Sequence, residues 1–146
     1  MNGARLSSEN LHASTVALDG RAVIISGPSG SGKSDLTLRL LDRGFMLVSD
    51  DRTIVCKAGE KVVASAPDTI RGKLEIRGVG IVDMPSVGDM PVALVVELTS
   101  DITRLPDDAR ERNILGAGIP LISVDAMTAS AASKVALALD RLGLKF

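Results

Sequence analysis

Eight consecutive residues, Gly27-Pro28-Ser29-Gly30-Ser31-Gly32-Lys33-Ser34, read G-x-x-x-x-G-K-S and join two segments of opposite habit. Before them runs Arg21-Ala22-Val23-Ile24-Ile25-Ser26, an apolar stretch suited to a strand; after them residues 35–43 carry leucines at helical spacing. A strand that delivers a glycine-rich loop to the start of a helix is the context a phosphate-binding loop requires. The glycines let the backbone curl so that several N–H groups converge, and the helix N-terminus adds its partial positive charge. Lys33 can then reach the β- and γ-phosphates of a nucleotide, and the Ser34 hydroxyl can ligate Mg²⁺. ATP and Mg²⁺ are therefore the expected cofactors, with all eight residues as the expected nucleotide-binding loop.

The rest of the composition narrows the partners. A chain of 146 residues is a common size for one domain, so residues 1–146 are read as a single unit. A net charge of −1 shows neither a nucleic-acid footprint nor a polybasic membrane patch. No apolar run approaches membrane-spanning length and residues 1–10 lack a signal-peptide core, which points to the cytoplasm. Cys56 is the single cysteine, excluding an internal disulfide framework, and its apolar neighbours predict a small buried side chain. With no Trp or Tyr and only Phe45 and Phe146, base stacking on aromatic rings is nearly unavailable. Phosphates must supply most of the grip on any nucleotide.

Along the chain, residues 11–18 and 22–26 flank Asp19-Gly20 and predict a hairpin that leads into the loop. The helix is expected over residues 35–43, closed by Gly44. Phe45-Met46-Leu47-Val48 reads as a buried strand ending in Ser49-Asp50-Asp51. Residues 53–57 and 61–65 predict a second hairpin, residues 68–73 a loop, and residues 74–83 an alternating stretch broken by glycines. Residues 85–91 are expected to turn, 92–98 to form a core strand, and 101–112 to be a polar stretch interrupted by Pro106. The last helix is predicted to start after Asp125 as N-cap, to bury Ala131, Val135, Ala138, Leu139 and Leu142, and to end at Gly143. The fold class is α/β, a phosphate-loop domain whose hairpins argue for a mixed β-sheet.

Phosphoryl transfer needs an acid for the metal and a group to orient or deprotonate the attacking oxygen. Asp50-Asp51 ends the strand after the loop helix, and ligands of open α/β sheets collect at strand carboxyl ends. Adjacent residues point opposite ways in extended chain, so the two acids can serve different partners. Glu97, in the second core strand, is the other candidate acid. His12 is the only histidine, and Glu75 and Arg77 share one strand face at i, i+2 and can point into one cleft.

These residues form a recognisable series. His12-Ala13-Ser14, the loop Gly27 to Ser34, Val48-Ser49-Asp50-Asp51 and Leu74-Glu75-Ile76-Arg77-Gly78-Val79-Gly80-Ile81-Val82-Asp83 resemble, in order and separation, the catalytic domain of HPr kinase/phosphorylase. The resemblance implies an enzyme that phosphorylates a serine of an HPr-like phosphocarrier, in regulation of the phosphotransferase system, and a fold related to phosphoenolpyruvate carboxykinase. It implies catalytic roles for His12, Lys33, Asp50 and Arg77, with Asp50 taking the proton of the acceptor serine and Arg77 steadying phosphate charge. It implies Ser34 and Glu75 as Mg²⁺ ligands with Asp51 nearby, a reverse reaction with inorganic phosphate or pyrophosphate as a partner, and assembly as a homohexamer.

Two departures stand out. The chain begins directly at the kinase region, as a short form of the family would. The family's arginine-rich turn after the last core strand also has no counterpart in residues 124–130, which contain no arginine. The alternatives to a protein kinase are a non-catalytic nucleotide or phosphate sensor acting through a partner, and a small-molecule kinase using Glu97 as metal acid.

Overall fold

Ala22, Val23, Ile24 and Ile25 are all fully buried, so the strand that carries them must be covered on both faces. The computed structural model describes residues 8–102 and 109–146. Its strands are β1 (Ser8–Leu11), β2 (Ala13–Leu18), β3 (Arg21–Ser26), β4 (Met46–Ser49), β5 (Thr53–Ala58), β6 (Lys61–Ser65), β7 (Lys73–Ile76), β8 (Gly80–Asp83), β9 (Met90–Leu98), β10 (Arg110–Ile114) and β11 (Ala117–Val124). Among the described residues there are also two α-helices, α1 (Lys33–Asp42) and α2 (Ala131–Leu142), and a 3-10 turn at Asp68–Ile70.

Nine strands form one mixed sheet in the order β1-β5-β6-β9-β3-β2-β4, with β11 and then β10 added alongside β9. Strands β3, β9 and β11 run parallel; the other pairings of the sheet are antiparallel. Val23 and Ile25 meet Leu94, Val96 and Leu98 of β9 beneath Leu36 and Leu40 of α1 and Val135 and Leu139 of α2. Ala22 and Ile24 face the other way, into a cluster with Val48, Val55, Val62, Val95 and Ile119 that contains no helical residue among the described residues. The sheet covers this second face itself by curling. The Thr15 and Thr53 hydroxyls lie 2.8 Å apart although β2 and β5 are not sheet neighbours.

Strand β9 changes partner along one edge. Met90 and Pro91 pair with β6, whereas Val95, Val96, Glu97 and Leu98 pair with β11. Its register with β3 skips Ala93, whose carbonyl accepts a hydrogen bond from Leu144 N at 3.0 Å. The extra residue bends the strand where its partner changes.

Strand directions place the functional end. β2 is antiparallel to both β3 and β4, so β3 and β4 point the same way. The chain leaving β3 at Gly27, the chain leaving β4 at Asp50 and the chain entering β2 at Ala13 thus share one edge of the sheet.

Both expected hairpins form, β2/β3 and β5/β6, and residues 73–83 make a third, β7/β8. Several boundaries differ from expectation. Helix α1 starts at Lys33 rather than residue 35, because the loop's last glycine is itself the N-cap. Helix α2 starts at Ala131 with Ser130 as N-cap; Asp125 instead closes a turn, its carboxylate accepting Met127 N at 2.9 Å. Leu142, the last residue of α2, is 58% exposed rather than buried. Met46 is exposed because β4 lies at the sheet edge, and Cys56 is half-buried. The turn expected over residues 85–91 ends early, as Met90 and Pro91 already belong to β9. Part of the polar stretch 101–112, including Pro106, lies outside the described residues; Arg110 and Arg112 are on β10.

Leu94 is fully buried between β3 and the helices. Leu94→Ala is expected to lower unfolding free energy by about 2–5 kcal/mol, read from urea denaturation, because both transfer energy and packing are lost.

Candidate functional site

The loop after β3 is shaped by backbone geometry and opens a helix start that has no side-chain cap. Gly32 is the N-cap of α1 with φ 99°, and no side chain caps the helix. A Cβ on Gly32 would lie 2.9 Å from the Ala126 Cβ, so glycine is required by both torsion and space. Ser31 N donates to Pro28 O at 3.1 Å, which closes the curl. The first N–H groups of α1 have no intrahelical acceptor and no capping oxygen, the condition under which a helix start attracts an anion.

Two side chains reinforce that bias. Lys33 is only 8% exposed, and its ammonium donates to Gly27 O at 2.8 Å and Pro28 O at 3.2 Å. It forms no ion pair among the described residues. The Ser31 hydroxyl is buried without a hydrogen-bond partner among the described residues. A nearly buried cation with carbonyl partners alone, beside an orphan hydroxyl, is an arrangement that an anionic acceptor completes.

The acid pair closes the site from β4. Asp50 is 7% exposed, and its carboxylate accepts from Ser14 Oγ at 3.2 Å, Ser34 Oγ at 3.3 Å and Glu75 N at 3.0 Å. Asp51 has the opposite environment: exposed, at φ 67°, with Oδ1 3.1 Å from His12 Nε2. Its backbone N–H donates to Ser14 Oγ at 3.0 Å. The opposed directions expected for adjacent residues are seen, but the acid bonded to Ser34 is Asp50, while Asp51 turns to the histidine.

A cleft of about 490 Å³ lies over these groups, lined by Ser29, Gly30, Gly32, Lys33, Ser34, Asp51, Glu75 and Arg77 among others. Glu75 and Arg77 enter it from β7 and the turn that follows. His12 reaches it through Asp51. The remaining loop residues, Gly27, Pro28 and Ser31, form the curl beneath. Glu97 is not brought to the cleft; its carboxylate pairs with Arg110 at 3.4 Å and accepts from Ser123 Oγ at 3.4 Å. The arginine-free stretch 124–130 is held by Arg39 of α1, which donates to Ala126 O and Thr128 O.

Three contributors were not read from the sequence. Ser14 sits between the two acids, Met127 lines the cleft from the loop before α2, and Arg39 holds that loop. A serine inside the apolar β2 pattern was the available sign for the first; nothing in the sequence marks Met127 or Arg39.

A curled mixed sheet with both helices on one face, and a glycine loop set against a buried acid at the shared strand edge, defines the class of α/β protein. Residues 4–139 match the family model described as HPr serine kinase C-terminal domain, and the chain belongs to that family. It is 37% identical over 129 residues to the HPr kinase/phosphorylase of Prosthecochloris aestuarii, covering 80% of this chain and 38% of the relative. Against the HPr kinase/phosphorylase of Latilactobacillus sakei the identity is 34% over 137 residues, covering 85% and 44%. The chain thus spans about two-fifths of the length of these curated relatives. The solved structure of the HPr(Ser) kinase/phosphatase from Coxiella burnetii superposes with a TM-score of 0.79 at 29% identity, covering 91% of this chain and 88% of that one.

Gly32→Ala is expected to destabilise the protein by about 1–3 kcal/mol in denaturant unfolding, through left-handed strain and the contact with Ala126.

Proposed function

We propose that the protein is an ATP- and Mg²⁺-dependent kinase that phosphorylates a serine on an HPr-like phosphocarrier. The single observation that carries this reading is the near-buried, carboxylate-free Lys33 ammonium at an uncapped helix start whose next residue, Ser34, bonds to the buried Asp50. The names of the family and its relatives supply the acceptor class.

The donor set fits Mg²⁺. Ser34, Asp51 and Glu75, which all line the cleft, offer hard oxygens only. Among the described residues no group of three or more His, Cys, Asp or Glu can hold a metal alone. Mg²⁺ suits such a site, since it keeps waters and takes one or two carboxylates plus substrate phosphates. Bound there, it neutralises charge on the β- and γ-phosphate oxygens.

The chain's own residues do the rest. Backbone N–H groups of residues 27–34 and the Lys33 ammonium hold the phosphates, and Arg77, a planar fork of donors at the cleft wall, steadies the transferring group. The acceptor serine's proton passes to the acid pair, with Asp50 as the base and His12 orienting Asp51. Glu75, which lines the cleft, would join Ser34 in holding the metal. Reversal by inorganic phosphate, with pyrophosphate released, uses the same groups in the opposite sense. The reading takes residues 1–146 as one phosphate-loop kinase domain related to phosphoenolpyruvate carboxykinase. It places the enzyme in the cytoplasm as a homohexamer, a state that light scattering tests. Among the described residues no helix is long and apolar enough to cross a membrane.

Incubation with ATP, Mg²⁺ and an HPr-like protein, followed by intact mass, is expected to show one phosphoryl group on a serine. No transfer to any such serine overturns the reading. Lys33→Ala is expected to lower transfer by more than about 100-fold, as phosphate contacts made in the transition state are lost. Asp50→Asn is expected to stay folded and bind ATP while losing transfer, because the Ser14 and Ser34 hydroxyls can rotate to face an amide. Near-normal turnover of Asp50→Asn contradicts the assigned base.

A further inference from the structure

Ser14 occupies a position that the packing of β2 reserves for an apolar side chain. It lies opposite Ile25 of β3 and is fully buried, two residues before Val16, which packs under the helices. A buried hydroxyl persists in such a place only with partners, and among the described residues its partners are the acid pair. Its O–H donates to Asp50 Oδ1 at 3.2 Å, and its oxygen accepts from Asp51 N–H at 3.0 Å. One atom therefore touches the side chain of the first acid and the main chain of the second.

The register explains how. Thr15 pairs with Ser49 across β2 and β4, so continuing the antiparallel ladder by one step sets Ser14 opposite Asp50. The ladder stops there because Asp51 turns into the left-handed region at φ 67°. That turn directs Asp51 toward His12, and its N–H, no longer in the ladder, finds the Ser14 oxygen. The Asp50 carboxylate meanwhile lies between two hydroxyls, Ser14 on the sheet side and Ser34 on the helix side, both on Oδ1. Removing Ser14 leaves Ser34 as the sole hydroxyl on that oxygen and frees the Asp51 N–H.

From this geometry we infer that Ser14 is a positioning residue for phosphoryl transfer. It fixes the Asp50 carboxylate against the phosphate loop and locks the backbone turn that sends Asp51 to His12. The inference rests on the kinase reading and adds a residue to it. Ser14 is fully buried and is not among the residues that line the cleft, so its loss is expected to act on the chemical step rather than on nucleotide capture.

The test uses the full chain with ATP, Mg²⁺ and an HPr-like acceptor. Ser14→Ala is expected to lower kcat about 10- to 100-fold, the usual cost of losing an outer partner of a catalytic group, with KM for ATP changed less than about 2-fold. Ser14→Thr is expected to keep kcat within about 3-fold of the original, and the isosteric Ser14→Val to fall with Ser14→Ala, isolating the hydroxyl from the added volume. In an Asp50→Asn background, Ser14→Ala is expected to cost nothing further, because two residues acting through one carboxylate are not additive. Amide exchange supplies a readout independent of turnover: the Asp51 N–H is expected to be protected in the original protein and to exchange faster in Ser14→Ala. Equal kcat for the Ala, Val and original proteins overturns the inference, as does a loss confined to KM for ATP or an unchanged Asp51 exchange rate. An original protein that transfers nothing overturns the kinase reading instead, and the Asp51 exchange rate then decides whether the clamp exists.

Discussion

Four segments of the chain meet at one carboxylate. Asp50, at the tip of β4, accepts from Ser14 of β2, from Ser34 in the first turn of α1 and from the backbone of Glu75 in β7. Hydrogen bonds to an ionised group contribute about 1.5–3 kcal/mol each, and a buried charge without them is strongly destabilising. The contact is thus a structural requirement as well as a chemical one. It ties the loop helix to the sheet edge and draws the β7/β8 hairpin against both, so the walls of the cleft cannot separate without stripping the acid of its donors.

The sheet makes that meeting possible. Parallel β3 and β9 bury Val23, Ile24, Ile25, Leu94, Val95 and Val96 completely, giving a rigid floor. Strand β2 then connects β3 to β4 by two antiparallel pairings, which returns the chain to the same edge pointing the same way. A glycine loop and an acid from strands two places apart come to face each other through topology rather than through long side chains. The free helix start and the buried Lys33 bring positive potential to the cleft, and the carboxylates of Asp51 and Glu75 line it as well.

Much of this was legible in the sequence because it is local. Glycines at fixed spacing before Lys33-Ser34, the Asp19-Gly20 turn and the two apolar strands each carry their own signal. The boundaries that moved did so where one residue serves two elements. Lys33 and Ser34 belong both to the loop and to the first turn of α1, and Asp125 has the chemistry of a cap but spends it on a turn before Ser130. The curl of the sheet was not legible, since it rests on contacts such as Thr15 with Thr53, 38 residues apart. The division of labour between the aspartates was hidden for a similar reason. Alternation says that they point apart, but only the placement of Ser34 and His12 says which acid meets which partner. Ser14 shows the same limit: a serine in an apolar strand signals a buried polar contact, and its partners come from 36 and 37 residues away.

The central claim is that a triphosphate is held between the glycine loop and the acid pair. A crystal structure with a non-hydrolysable ATP analogue and Mg²⁺ tests it most directly. The expected result is density for the β- and γ-phosphates within hydrogen-bond distance of the Lys33 ammonium and the 27–34 backbone, with a metal on the Ser34 hydroxyl beside Asp50. An analogue bound elsewhere on the protein, or a saturated crystal in which the Lys33 ammonium still bonds only to Gly27 O and Pro28 O over an empty cleft, contradicts the account.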